Sequence, residues 1–92
     1  MNESTKQEVC NRLKSIEGHV RGVYRMVDDE AYCIDVIKQT VAIQRAIAKV
    51  NALILDEHLK TCVTTAMRSD DQSERQRVLG ELVEVFQTES RL

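Results

Sequence analysis

From Ala31 to Arg68 the chain contains no proline, no glycine and no cluster of polar residues, which predicts a single helix of more than thirty residues inside a 92-residue protein. Its apolar residues fall into two stripes. Ile34, Ile37, Val41, Ala48, Leu55 and Leu59 form one, and Val36, Ile43, Ile47, Val50 and Ile54 the other. A helix that is apolar on two sides has to be covered on two sides. A shorter helix of the same chain can cover one of them, and a second copy of the chain is the natural cover for the other.

The flanking segments supply shorter helices. Ser4 followed by Gln7 fits a capping box, and Val9, Leu13, Ile16, Val20, Val23 and Val27 then recur at steps of four and three, with Met26 widening the stripe. This first helix should end near Asp28 to Glu30, where acidic side chains suit the start of the next helix. After "SDDQSERQ", in which Ser73 and Gln76 resemble a second capping box, a third helix carries Val78, Leu79, Leu82, Val83, Val85 and Phe86. With no proline, three glycines and three aromatic residues, little in the chain favours a sheet. We expect one all-α domain over residues 1–92, a three-helix protomer without internal repeats or linkers.

Three cysteines are too few and too unevenly spaced for a disulfide framework, and no N-terminal apolar segment reads as a signal peptide or membrane span. The chain therefore reads as cytoplasmic, with reduced thiols and no membrane partner. Its net charge of −2 conceals segregation. Lys6, Arg12, Lys14, Arg21 and Arg25 lie on the first helix against Glu8 and Glu17, and from Val36 to Leu55 there are Lys38, Arg45 and Lys49 but no acid. Such segregation builds a positive patch on a protein that is acidic overall.

The stretch "ILDEHLKTC" places His58 and Cys62 four residues apart, on one face of a helix, where an imidazole nitrogen and a thiolate can meet one ion. Cys33 is the next soft donor, but 25 residues of helix put it about 38 Å from His58. An antiparallel dimer of the long helix removes that separation, because its two-fold axis brings the start of one copy beside the end of the other. Cys33 of one protomer with His58 and Cys62 of another would form a soft set of two sulfurs and one nitrogen, suited to Cu(I) and one ligand short for zinc. The plainer alternative is a cysteine that fills a core and a solvated histidine. Cys10, alone on the first helix, reads as structural.

The segments "NRLKSIEGHVRGVYRMV", "AYCIDVIKQ", "EHLKTCV" and "ELVEVF" resemble the copper-sensitive operon repressor (CsoR) family of bacterial regulators, and the resemblance runs from Asn11 to Phe86. It implies an antiparallel dimer forming a four-helix bundle, a dimer of dimers, and a repressor that binds operator DNA without metal and releases it on binding its inducer. Copper members of the family use a Cys, His, Cys set, matched here by Cys33, His58 and Cys62. Nickel and cobalt members carry further histidines that are missing here, formaldehyde sensors an N-terminal proline, and persulfide sensors both cysteines without the histidine. Tyr32 and Glu81 resemble the outer shell of the copper site. Arg12, Lys14, Arg21 and Lys49 match positions where the family carries DNA-contacting basic residues.

No helix-turn-helix with a glycine-containing turn is visible, so the expected DNA contact is a broad basic face dominated by phosphates. The nearest rival reading is a persulfide-responsive repressor that joins Cys33 and Cys62 through a sulfur chain. A cysteine hydrolase built on Cys62 and His58 lacks a strand-to-helix turn to expose the nucleophile, an oxyanion hole and an orienting third group. We therefore expect a non-enzyme. A purely structural helical oligomer is the remaining alternative.

Overall fold

The computed structural model describes residues 1–90, with side chains described through Thr88. Helix α1 spans Glu3–Asp28 and α2 spans Cys33–His58; a π-helical turn, Leu59–Val63, leads into the short α3, Thr64–Arg68, and α4 spans Gln72–Ser90. No strand occurs among the described residues. Helical residues thus run without interruption from Cys33 to Arg68, as the absence of breakers predicts, although the turn at Leu59 departs from the α form.

The chain divides into two compact units, residues 1–57 and a second beginning at His58. In the first, Val9, Ile16 and Val23 of α1 meet Ile43 and Val50 of α2, with Val36, Ala46 and Leu53 packed against them. The steps of seven among the buried residues of both helices describe a narrow seam, which α2 widens with Ala46 and Leu53. The seam is narrower than the predicted α1 stripe. Leu13, Val20 and Val27 lie on its flank and stay 47%, 48% and 59% exposed. On α2 the second stripe faces α1 through Val36, Ile43 and Val50 only; its Ile47 and Ile54 remain exposed, as do Ile34, Ile37, Val41 and Leu59 of the first stripe. One chain therefore covers one side of its long helix.

The helix ends differ from the predicted caps. At α1 the cap is Asn2, whose side-chain oxygen accepts from the Thr5 amide at 2.8 Å, so the chain enters the helix before Ser4 and that serine lies within the first turn. At α4 the carboxylate of Asp71 accepts from the amides of Ser73 and Glu74 at 3.0 and 3.3 Å. It satisfies two orphan donors and places a negative charge at the positive end of the helix, so the Ser73 and Gln76 box is not used. Arg77 then pairs with Glu74 one turn behind it and Glu81 one turn ahead. The hydrogen bond from Arg77 holds the Glu74 carboxyl below its ordinary value. That pairing is complete above the ordinary carboxylate range and is lost as pH falls through the lowered value.

Between α1 and α2 the backbone closes in a Schellman arrangement. The Glu30 amide donates to Val27 O at 3.0 Å and the Ala31 amide to Met26 O at 2.8 Å, with Glu30 in the left-handed region at φ 58°. Tyr32 follows, and its carbonyl accepts from the Val36 amide at 3.2 Å, which makes Cys33 the first residue of α2. In the second unit Val63 and Ala66 pack on Val78 of α4, flanked by Met67 and Leu82.

Replacing Ile43 by alanine removes a seam residue and is expected to lower stability by about 2–5 kcal/mol. Urea denaturation at fixed protomer concentration checks this. Glu30→Gly relieves a left-handed non-glycine residue at some entropic cost and should stabilise by roughly 0.5–1 kcal/mol in the same assay.

Candidate metal centre and nucleic-acid interface

The candidate donors occupy three backbone settings. Cys33 opens α2 and is exposed, and His58 closes the same helix half-buried. Cys62 is exposed in the π turn. The α-helix that begins with Cys33 and ends with His58 has 26 residues, about 38 Å of rise from first to last. Consistent with that length, no group of three or more His, Cys, Asp or Glu side chains among the described residues is placed to hold a metal ion.

The π turn has a local cause. Its sequence, "LKTCV", is followed by two threonines, and β-branched residues with hydroxyls back-bond readily to the preceding turn. Thr64 Oγ1 donates to the carbonyl of Leu59, five residues earlier, at 2.7 Å, and Thr65 Oγ1 donates to Thr61 O at 2.8 Å. These bonds occupy carbonyls that a widened turn leaves poorly matched. Within the turn Thr61 Oγ1 lies 3.6 Å from Cys62 Sγ, the thiol that would become a ligand. Sequence periodicity does not reveal this turn, because the one extra residue shifts the apolar phase, by about 100°, only over the short α3 that follows it.

All three cysteines are free and exposed. For Cys10 this corrects the reading as a structural residue: its neighbour Val9 enters the α1–α2 seam, and Cys10, one residue on around the helix, is left outside it. Accessible thiols at Cys33 and Cys62 with an imidazole at His58 are soft donors free of any disulfide, a set whose chemistry fits Cu(I). Of the residues resembling an outer shell, Tyr32 is 69% exposed and Glu81 is held by Arg77.

The basic residues singled out for DNA lie in the first unit. Arg12 pairs with Glu8 at 3.2 Å and Arg21 with Glu17 at 3.7 Å, each across one turn of α1. Exposed pairs of this kind are weak and screened by salt. Lys14 and Lys49 are exposed, as are Lys38 and Arg45. His19 of α1 and Gln39 of α2 meet at 2.7 Å between Nε2 and Oε1, a polar tie between the two helices that carry these charges.

Sequence reasoning missed Glu57. It is 9% exposed, and its carboxylate accepts from the Asn2 amide at 2.6 Å, from Asn2 Nδ2 at 3.2 Å and from Thr5 Oγ1 at 3.0 Å. The signal was present: Val36, Ile43, Val50 and Glu57 continue one step of seven, so an acid occupies a seam position.

Among the described residues no helix is long and apolar enough to cross a membrane. Residues 5–88 match the family described as metal-sensitive transcriptional repressors. A copper-sensing transcriptional repressor of Bacillus subtilis is 40% identical over 81 residues, covering 88% of this chain and 77% of that protein. A copper-sensing transcriptional repressor of Mycobacterium bovis is 44% identical over 62 residues, 67% of this chain, and the match spans about half of the relative's length, 52%. Among solved structures, the copper-sensing repressor of Geobacillus thermodenitrificans with Cu(I) matches at a TM-score of 0.86 and 37% identity, over 98% of this chain and 91% of that one.

Proposed function

Because the chain belongs to the metal-sensitive transcriptional repressor family, we propose that it is a Cu(I)-responsive repressor that binds operator DNA without the metal and releases it when Cu(I) is held by Cys33, His58 and Cys62. The observation that carries this reading is the placement of the soft donors. Cys33 and His58 stand at opposite ends of one 26-residue α-helix, and Cys62 follows in the next turn. An antiparallel partner brings Cys33 of one protomer to His58 and Cys62 of another. The exposed apolar stripe of Ile34, Ile37 and Val41 supports such a dimer, since it is the side of α2 left open by α1. The dimer then forms a four-helix bundle from two copies of α1 and α2, and two dimers form a homotetramer.

When bound, Cu(I) supplies a soft, low-coordinate cross-link between protomers. The residues do the rest. Cys33 and Cys62 provide the thiolates and most of the affinity. His58 provides the nitrogen and reports occupancy to its surroundings through the ring nitrogen that is not a ligand. Tyr32 and Glu81 are the proposed receivers of that signal, and for Glu81 this means exchanging its bond with Arg77. On the DNA side Arg12, Lys14, Arg21 and Lys49 neutralise phosphates, multiplied by the copies in the assembly, so binding weakens steeply with salt. Ligand and DNA then compete through the affinity difference between two arrangements of the same helices.

Fluorescence anisotropy of the reduced, anaerobic protein on DNA from upstream of its own gene tests the reading. Release at about one Cu(I) per protomer, with little response to a persulfide donor, is the expected result. Release by persulfide alone would move the sensor to Cys33 and Cys62 joined by a sulfur chain. Cys33→Ala should lose tight Cu(I) binding and stay on DNA; unchanged affinity in a competition titration would sink the intersubunit site. His58→Ala should keep part of the Cu(I) affinity through the two thiolates yet release DNA poorly, and normal release by a weakly binding variant would count against the role given to His58.

A further inference from the structure

Glu57 is the one polar residue buried among those described, and its surroundings are built from the other end of the sequence. Its oxygens accept from the Asn2 amide, Asn2 Nδ2 and Thr5 Oγ1, at 2.6, 3.2 and 3.0 Å, across more than fifty residues of chain. Asn2 is the cap of α1 and Thr5 lies in its first turn. Glu57 is the penultimate residue of α2, and His58 is the next. The carboxylate therefore clasps the beginning of the helix that carries Arg12, Lys14 and Arg21 to the residue preceding a proposed metal ligand.

An apolar side chain would continue the seam at this position as Val36, Ile43 and Val50 do. Burying a carboxylate instead is costly unless its oxygens are hydrogen-bonded, and replacing such a group by an apolar one of similar volume is often neutral or stabilising. Here three hydrogen bonds meet that cost, and they make the position of α1's first turn depend on the orientation of one α2 residue. That residue shares a peptide bond with His58. A rotation of the helix about the His58 ligand position moves the Glu57 oxygens relative to three donors that require defined distances.

We infer that Glu57 is a positioning residue that links the metal-binding turn to the first turn of the DNA-binding helix, so that fixing His58 shifts the docking of Asn2 and Thr5. This rests on the copper-repressor reading. Linkage is reciprocal, so the effect belongs to the ratio of DNA affinities with and without Cu(I), not to either affinity alone.

The test compares wild type with Glu57→Leu, which fills the seam without the clasp, and Thr5→Val, which removes one donor and keeps the side chain's shape. For each, anisotropy gives the DNA dissociation constant with and without Cu(I), a competing chromophoric chelator gives Cu(I) stoichiometry, and thermal unfolding gives stability. Glu57→Leu is expected to bind one Cu(I) per protomer and unfold no earlier than wild type, while the ratio of dissociation constants falls by about tenfold or more. Thr5→Val should lower the ratio by about threefold, and it carries the test if Glu57→Leu does not fold. A wild-type ratio in the folded variants overturns the inference and leaves the copper reading standing. Wild-type protein that keeps its DNA in Cu(I) overturns that reading, and the inference with it.

Discussion

The seam between α1 and α2 is the contact on which the rest of the first unit depends. Its fully buried residues recur every seven, from Val9 to Val23 on one side and through Ile43 and Val50 on the other, with Val36, Ala46 and Leu53 of α2 packed beside them. Because the contact is confined to that line, the flanking residues Leu13, Val20 and Val27 and the opposite stripe of α2 stay open. A chain this short has few other ways to bury apolar surface. What the seam leaves uncovered is as consequential as what it covers, since the open stripe is where a second copy fits in the proposed assembly.

The same long helix separates the candidate ligands. A stiff α-helix with Cys33 as its first residue and His58 as its last keeps the two apart whatever their side chains do. In the proposed repressor this separation is functional, because a ligand set that no single chain can complete reports on how two chains are arranged. The π turn at Leu59–Val63 and the Glu57 clasp lie on either side of His58. One sets the backbone that carries Cys62, and the other ties the preceding residue to the start of α1. Both carry side-chain hydrogen bonds, from Thr64 and from Asn2 and Thr5, so the end of α2 that bears the candidate ligand His58 is held by polar contacts while its middle is held by apolar ones.

Much of the fold was legible because helices announce themselves locally. The absence of breakers between Ala31 and Arg68, the stop at Asp28 and the break at Ser69 all reappear in the structure within a residue or two. The caps were less legible. Asn2 and Asp71 compete with Ser4 and Ser73 for the same role, and a sequence pattern contains all four without saying which side chain reaches the free amides. Cys10 was misread for a related reason: its spacing places it beside the stripe, and only the position of the seam decides that the stripe's neighbour lies outside. The candidate ligands were legible as residue types at a spacing, and their accessibility was not.

The sequence by itself determined the helical segments, the two-sided character of the long helix and the identity of its soft donors, because periodicity, breakers and ligand chemistry are properties of neighbours along the chain. Tertiary structure decided which stripe α1 covers, that Glu57 is buried against Asn2 and Thr5, and that Glu81 is engaged by Arg77. The burial of Glu57 depends on groups more than fifty residues away, and a carboxylate in isolation carries no mark of whether donors will meet it or water will.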